Sequence, residues 1–307
     1  MTRTSGANAA IKEGAVRPDG VDLDFEDVPV LVHAFRRMVR ESAYDVCEMA
    51  LTTYLCAREH GTPFTALPIF LVRGLHHGAV VRNSTSDVRV AKDLEGRRVG
   101  VHRGYTVTTG VWARGILSEQ YDVDLSRVTW VRSGDEHVAD YQPPRNVVPL
   151  DEGKDLPAMV AAGELPAAVN IDVDHPNVAP LIPEPEEAAL RALRERGLYP
   201  INHVVVVRDE LLEEHPELAV ALFEAFAEAK NQYVERLRNS DIDQPTATDR
   251  MYRRVMDTTG GEPLPYGIGP NRAVLETLIR YATEQRILTG PIAVEDAFAA
   301  NTLGLTA

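Results

Sequence analysis

Cysteine and long apolar runs are scarce in this sequence. Its 307 residues include two cysteines, Cys47 and Cys56, too few for a disulfide framework or a cysteine-ligated metal cluster, so we expect both to be reduced and buried. No apolar run approaches the ~20 residues that a membrane-spanning helix needs. Residues 1–20 also lack the charged-then-apolar order of an export signal. The sequence therefore predicts a cytoplasmic protein with no membrane segment.

Positive charge is also in short supply. The chain has 32 Lys and Arg against 46 Asp and Glu, a formal net charge of -14. A surface that follows nucleic-acid phosphates needs clustered Lys and Arg, so a nucleic-acid partner is excluded. A small carboxylate stays a suitable ligand, because a pocket needs only a few local arginines. With 44% hydrophobic residues the chain can bury the core of one large domain or of two, and whether it forms a homo-oligomer is left open.

The most informative segment is residues 197–207, where a Gly-Leu-Tyr-Pro turn leads through Ile to Asn202, His203 and four valines. A continuous β-branched run bounded by Gly and Pro predicts a strand buried on both faces of a parallel or mixed sheet. His203 then lies at the end of that strand, where α/β folds bind ligands. The alternative is a buried, hydrogen-bonded histidine with a structural role, and residue type alone does not decide between the two.

Strand-like and helix-like segments alternate along the first two thirds of the chain. We expect the following extended segments, of which the second and third form a hairpin-like pair: 44–49, 64–72, 78–82, 98–102, 127–132 and 167–171. A helix is expected from residue 106, and a threonine-rich loop with Gly104, Thr106, Thr108 and Thr109 forms its start. That loop is a candidate anion site, because backbone N–H groups and the helix dipole favour negative charge there. After His203 the pattern becomes helical.

This order predicts an α/β fold of two lobes joined by two crossings. We assign residues 1–93 and 204–307 to lobe 1 and residues 94–203 to lobe 2. Residues 133–154, rich in Pro, Gly, Asp and Glu, form a long excursion of the kind that is usually functional or mobile. The cleft between the lobes is the expected site, because ligand pockets favour domain interfaces and two lobes can close over a small molecule.

Six short motifs are spread in order between about Gly14 and Phe298. They are Asp45-Val46-Cys47-Glu48-Met49, Arg73 with His77, Asp93-Leu94-Glu95-Gly96, Tyr105 to Trp112, Pro200-Ile201-Asn202-His203 and Pro265-Tyr266-Gly267. Together they resemble the 4,5-dihydroxyphthalate decarboxylase family, which is built on the type II periplasmic binding protein fold. The resemblance implies that fold, with a ligand cleft between its lobes, and a decarboxylase of a hydroxylated aromatic carboxylic acid.

The sequence departs from the family pattern at three places. The family has Glu-x-Ser after its early strand, where this chain has Glu48-Met49-Ala50 and lacks the hydroxyl. In the family's Arg-x-Phe-Arg-His turn, His76 replaces the second arginine and its planar fork of donors. That change implies a substrate with one fewer carboxylate or with a different group. The family's Tyr-Asp-Arg-Thr turn corresponds to Arg3-Thr4, so the strand before it is missing here or lies upstream of Met1.

The resemblance implies chemistry without a metal or an organic cofactor. CO2 leaves once the ring carbon that bears the carboxylate is protonated while a para hydroxyl gives up its proton. His203 and His77 are the implied acid and base, since imidazole titrates near neutral pH. Arg73 and Arg103 would clamp carboxylate, and Glu48 would accept a phenolic hydrogen bond. The implied substrate-binding residues are Glu48, Arg73, His76, Arg103, Tyr105, Thr106, Thr108, Asn202 and Tyr266.

Several of these residues have a structural alternative. Glu48 can cap the following helix, Arg73 and His77 can be ordinary turn residues, and Tyr266 can pack its loop. The histidines given no role lie in predicted helices or polar loops: His33, His60, His137, His175 and His215.

Two function classes stay open. One is a cofactor-independent decarboxylase, and the other is a protein that binds a small carboxylate without changing it. The missing export signal favours the enzyme, because a transport receptor works outside the cytoplasmic membrane.

Overall fold

Nine strands form two sheets in the computed structural model, which describes residues 1–307. The strands are β1 (Val46–Ala50), β2 (Phe64–Arg73), β3 (Val80–Asn83), β4 (Arg98–Val101), β5 (Thr129–Arg132), β6 (Val147–Pro149), β7 (Ala167–Val169), β8 (Val178–Pro180) and β9 (Ile201–Arg208). The helices are α1 (Ala9–Lys12), α2 (Leu31–Glu41), α3 (Leu51–Glu59), α4 (Thr108–Tyr121), α5 (Leu156–Ala162), α6 (Pro185–Arg196), α7 (Asp209–Glu214), α8 (Leu218–Arg238), α9 (Ala247–Thr259) and α10 (Arg272–Glu284). None of these helices is both long and apolar enough to cross a membrane.

The first sheet has three strands in the order β1-β9-β2. The central strand β9 pairs antiparallel with both neighbours, so the predicted parallel or mixed surroundings of the valine strand are wrong. Burial on both faces is confirmed, because all four valines of residues 204–207 have no exposed surface. Valine suits such a strand because its stiff, branched side chain packs well on a pleated surface. His203 lies in this central strand, opposite Ala50 of β1 and Val72 of β2.

The second sheet has six strands in the order β6-β5-β4-β7-β3-β8. β4 runs parallel to β5 and β7, and β3 is antiparallel to both β7 and β8. The predicted hairpin of residues 64–72 with 78–82 is therefore wrong, and the assignment of residues 80–83 to lobe 1 stays a prediction. A polar turn between two extended apolar runs serves equally well for a hairpin and for a crossing to another sheet. The other predicted lobe boundaries stay predictions.

Capping signals mark the ends of two helices. The Asp155 carboxylate accepts a hydrogen bond from the Ala158 N–H at the start of α5, and Gly163 ends that helix with a positive φ of 80°. Thr246 and Asp249 form a reciprocal capping box at the start of α9.

Helix α2 was not predicted, although its apolar residues recur at helical spacing. It buries an apolar face that includes Phe35 and Met38 and packs against β1. From its last turn, Arg40 donates hydrogen bonds to the backbone carbonyls of Glu136 (2.9 Å) and His137 (3.1 Å). Helix α2 therefore joins the first sheet to the loop that follows β5 in the second.

A second contact between the sheets joins the amino-terminal ends of α3 and α4. The Thr52 N–H donates to Thr108 Oγ1 at 3.0 Å, and Thr52 Oγ1 donates to the Thr106 carbonyl at 2.6 Å. All three threonines are buried.

Cys47 and Cys56 are also buried, and both are free, as expected.

Candidate active site

A histidine–carboxylate pair lies where β1 and β9 meet. His203 and Glu48 project from the same face of the sheet as diagonal neighbours, because Ala50 is opposite His203 and Val205 is opposite Glu48. His203 Nδ1 and Glu48 Oε1 are 2.6 Å apart. The other imidazole nitrogen, Nε2, has no hydrogen-bond partner in the protein and reaches solvent. The pair thus has a buried anionic end and an accessible imidazole end.

The Glu48 side chain is held as a carboxylate although it is only 1% exposed. Burial disfavours its charged form, but the hydrogen bond and charge of His203 and the Arg3 N–H outweigh burial and lower the pKa of Glu48. The Arg3 N–H donates to Glu48 Oε2 at 2.8 Å. Both carboxylate oxygens therefore have partners, so Glu48 orients His203, and its predicted contact with a phenolic hydroxyl stays a prediction.

A second histidine, His137, packs near His203 and was missed from the sequence. The rings of both histidines meet the Phe35 ring edge-to-face, with centroids 5.3 Å away for His203 and 6.1 Å for His137. His137 Nδ1 lies 3.4 Å from Thr53 Oγ1. His137 stands in the loop after β5, at the carboxyl end of a parallel strand. That position, where α/β folds bind ligands, was the signal in the sequence.

Positive charge surrounds His137. Burial lowers its pKa to about 4, and the charges of Arg36, Arg103 and Arg40 add to that effect. Arg40 is bound to backbone carbonyls. The guanidinium groups of Arg36 and Arg103, in contrast, make no hydrogen bond or ion pair in the protein. Two unpaired cations near the His137 imidazole form a place where an organic anion gains charge-assisted hydrogen bonds.

Arg103 stands in the loop after β4 with a positive φ of 68°, and its side chain is exposed. It lines a cavity of about 410 Å³ together with His102, Thr109 and Asn170. A larger cavity, about 820 Å³, is lined by residues 20–26 and 42–46 and by parts of α7 and α8, and no predicted site residue lines it. The predicted role of Arg103 stays a prediction that its geometry favours.

The threonine-rich loop before α4 is already occupied by a carboxylate of the protein. Glu136 accepts hydrogen bonds from the N–H groups of Tyr105 (2.6 Å) and Thr106 (3.1 Å) and from Thr106 Oγ1 (2.7 Å). Thr108 is bound to Thr52, and Tyr105 is buried with the Arg114 guanidinium 3.8 Å above its ring. The loop is thus an anion site whose anion is Glu136, and the substrate contacts at Tyr105, Thr106 and Thr108 stay predictions that this arrangement does not favour.

Arg73 is buried and bound to the protein. Its guanidinium donates to the Tyr199 carbonyl at 3.0 Å and to Asn271 Oδ1, and it stacks 4.8 Å above the Tyr199 ring. Burial lowers the pKa of Arg73 to about 10. Tyr266 is fully buried nearby, with Lys230 5.3 Å from its ring. The bonds of Arg73 and the burial of Tyr266 favour the structural alternatives for both residues, and their predicted substrate contacts stay predictions.

His76 and His77 are also buried. His76 Nε2 is 2.8 Å from Asn202 Oδ1, and burial, which outweighs this hydrogen bond, lowers the pKa of His76 to about 4. His76 and Asn202 therefore bind each other rather than a substrate carboxylate. His77 Nε2 is 2.9 Å from Gln120 Oε1, and its Nδ1 is sealed from solvent without a partner. Gln120 lies near the carboxyl end of α4, ~18 Å along the helix axis from Thr108, so the structure does not bring His77 to His203.

No group of three or more His, Cys, Asp or Glu side chains in residues 1–307 is arranged to hold a metal ion.

The two sheets define a two-lobed α/β fold of the periplasmic binding protein class. Candidate site residues lie on strands and loops of both sheets. The aliphatic sulphonate binding protein SsuA of Escherichia coli superposes with a TM-score of 0.55 at 10% identity, covering 98% of this chain and 94% of that one. The alkanesulfonate-binding SsuA of Xanthomonas axonopodis pv. citri gives 0.51 at 14% identity, covering 97% and 95%. A DSZB mutant in complex with biphenyl-2-sulfinic acid gives 0.51 at 16%, covering 97% and 94%. At these identities the likeness shows the fold alone.

No family model matches the chain, but curated relatives do. The 4,5-dihydroxyphthalate decarboxylase of Comamonas testosteroni is 32% identical over 286 residues, which cover 87% of this chain and 85% of that protein. The 4,5-dihydroxyphthalate decarboxylase of Pseudomonas putida is 33% identical over 193 residues, covering 58% and 73%. The chain therefore belongs to the 4,5-dihydroxyphthalate decarboxylase family, and the resemblance carried by its motifs is confirmed.

Proposed function

We propose that this protein removes CO2 from a hydroxylated aromatic carboxylic acid, 4,5-dihydroxyphthalate or a close analogue, without a metal or an organic cofactor. The observation that carries the proposal is the 2.6 Å contact between His203 and the buried Glu48 carboxylate, with the other imidazole nitrogen accessible. Family membership supports the reaction, since both curated relatives bear the name of a decarboxylase.

His203 is the proton donor in this proposal. An aryl carboxylate loses CO2 when the ring carbon that bears it takes up a proton, because the electron pair of the broken C–C bond then returns to the ring. The Glu48 carboxylate stabilises the protonated imidazole through Nδ1–H, which leaves Nε2–H to face that carbon. Glu48 itself does not change its protonation state.

Arg36 and Arg103 bind the substrate carboxylates in this proposal. Both guanidinium groups lack a partner in the protein, and their charges act on His137, which shares the Phe35 ring with His203. Each charge-assisted hydrogen bond between arginine and carboxylate is worth ~1.5–3 kcal/mol. A ring that carries two carboxylates would use both arginines.

The test is to incubate the purified protein with 4,5-dihydroxyphthalate and a panel of hydroxybenzoates and to measure CO2 and aromatic products. Removal of one carboxylate from 4,5-dihydroxyphthalate yields 3,4-dihydroxybenzoate. His203→Ala should lower turnover ~100-fold or more, as expected for loss of a general acid. His33→Gln, at an exposed position on α2, is the matched control and should leave turnover unchanged.

Binding of these compounds without any product would overturn the proposal and support a solute-binding protein instead. A cytoplasmic location and a homo-oligomeric state stay predictions.

A further inference from the structure

We propose that His137 is the second acid–base group of this site, the base that takes the phenolic proton of the substrate. This inference rests on the proposed function and completes it, because the predicted base, His77, is bound to Gln120 near the far end of α4. The proposal stands on where His137 lies, on which of its nitrogens is free, and on the cations around it.

The position of His137 relative to His203 fits a pair that works on one aromatic ring. Both imidazoles contact the same Phe35 ring edge-to-face, from loops and strands of different sheets. Nδ1 of His137 faces Thr53 Oγ1, and its Nε2 has no partner in the protein and reaches solvent. Each histidine thus has one nitrogen held by the protein and the other free, which is the arrangement that proton transfer requires.

The backbone at His137 is fixed on both sides of the residue. The Glu136 carboxylate binds three donors of the loop before α4, and Arg40 binds the carbonyls of both Glu136 and His137. Glu136 and Arg40 are therefore positioning residues, and the effect of their contacts is to hold the His137 ring at one place in the site.

The charges around the two histidines differ in sign. His203 faces the Glu48 carboxylate, whereas His137 is close to Arg36 and Arg40 of α2 and to Arg103 of the loop after β4. From α3 it faces only the uncharged Thr53. Burial and these cations keep His137 neutral, so it is ready to accept a proton, whereas His203 has the Glu48 carboxylate as its partner. Two groups in opposite electrostatic surroundings are suited to the roles of base and acid.

Substrate binding would strengthen His137 as a base. Carboxylates bound to Arg36 and Arg103 offset two of the charges that lower the pKa of His137. The same cations stabilise the phenolate oxygen that forms when the proton leaves. The base therefore gains strength when the substrate is in place.

The proton balance of the full reaction closes with these two groups. The para hydroxyl gives its proton to His137 Nε2, and the ring carbon that bears the carboxylate takes a proton from His203 Nε2. The bond from that carbon to the carboxylate then breaks, CO2 leaves, and the electron pair restores the aromatic ring. The phenolate recovers its proton from His137, and His203 takes a proton from water, so each turnover consumes one proton and needs no oxidant or reductant.

The direct test uses 3,4-dihydroxybenzoate as a probe, because the ultraviolet absorbance of its phenol and phenolate forms differs. Bound to the native protein at pH 7, it should show phenolate absorbance that free probe lacks at that pH. His137→Gln should bind the probe, measured by calorimetry, with an affinity within ~5-fold of the native protein but without phenolate absorbance. His33→Gln should behave as the native protein does.

The kinetic test measures kcat and KM for 4,5-dihydroxyphthalate with the same variants. His137→Gln should lower kcat by ~100-fold or more and change KM less than ~5-fold, because general base catalysis contributes ~10²–10⁴-fold. Circular dichroism shows whether His137→Gln folds. If it does not fold, Thr53→Val replaces it in the test, because this variant removes the Thr53 Oγ1 contact to His137 Nδ1. Thr53→Val should reduce both phenolate absorbance and kcat.

Phenolate absorbance that persists in His137→Gln, or in Thr53→Val where His137→Gln is unfolded, overturns the role of His137. Absence of phenolate absorbance in the native protein overturns it as well. A native protein that ionises the probe through His137 but releases no CO2 leaves the role intact and refutes the proposed function instead.

Discussion

Replacement of Glu48 by Gln removes one negative charge from the buried side of His203 and keeps the size of the side chain. The native carboxylate accepts hydrogen bonds from His203 Nδ1 and from the Arg3 N–H. The carbonyl oxygen of the substituted amide can still accept one of them, but the amide NH2 group then points at the other donor. The variant therefore loses a charge-assisted hydrogen bond to an imidazole that must become positive during the reaction.

The size of the effect follows from that loss. Hydrogen bonds to charged groups are worth ~1.5–3 kcal/mol, and each ~1.4 kcal/mol of transition-state stabilisation corresponds to tenfold in rate. We expect Glu48→Gln to lower kcat ~10- to 150-fold. KM should stay within ~3-fold, because Glu48 does not contact the substrate.

The assay is steady-state release of CO2 from 4,5-dihydroxyphthalate by the native protein and by Glu48→Gln, with circular dichroism to confirm folding. Glu59→Gln, on the far end of α3, is the matched control and should keep native kcat. A folded Glu48→Gln with native kcat would refute the reasoning that the buried carboxylate stabilises protonated His203. A large rise in KM alone would instead return Glu48 to the role of a substrate contact.

Three further predictions concern the arginines, the turn and pH. Arg103→Leu should weaken binding of 4,5-dihydroxyphthalate ~10- to 100-fold, measured by calorimetry, because a charge-assisted hydrogen bond is lost. The control Arg98→Leu, at an exposed position on β4, should not weaken binding. Equal affinities of the two variants would remove Arg103 from the site. His77→Gln should keep kcat within ~2-fold. It should unfold at a lower urea concentration, because loss of the hydrogen bond to Gln120 lowers the free energy of unfolding by ~1 kcal/mol. A strong loss of kcat would restore the catalytic role of His77. Burial lowers the pKa of His76 to about 4 from 6.5, so the unfolded chain binds more protons between these values and stability should fall as pH falls from about 6.5 towards about 4. His76→Gln should show a smaller fall in urea unfolding between pH 7 and pH 5, and an unchanged fall would contradict the assignment.

The sequence predicted polar residues at strand ends better than it predicted their partners. Glu48 and His203 were both chosen from strand and motif positions, and the structure brings them together. Arg73 was chosen in the same way, but its acceptors at Tyr199 and Asn271 lie 126 and 198 residues away in the chain. A local pattern indicates that a polar group lies near a site, but a distant acceptor decides whether that group is free for a ligand.

The threonine-rich loop also shows that a local pattern does not identify the partner of a polar group. Its N–H groups do bind an anion, as the helix start predicted, and that anion is the carboxylate of Glu136, 30 residues further on. His137 was set aside because it stands in a polar loop, and its importance comes from what it packs against, which a local pattern does not report. Helix α2, in contrast, was missed although its apolar residues recur at helical spacing.

The location of His203 on β9 differs in rigidity from the locations of Arg36 and Arg103. A residue in the middle strand of a sheet has its backbone fixed by two neighbours, here Ala50 and Val72, whereas Arg36 and Arg103 stand on a helix and a loop at the border of the site. On the proposed function, substitutions at the border can change the acid that is accepted while His203 keeps its place. This division gives the scaffold a route to new aromatic substrates through changes at its arginines alone.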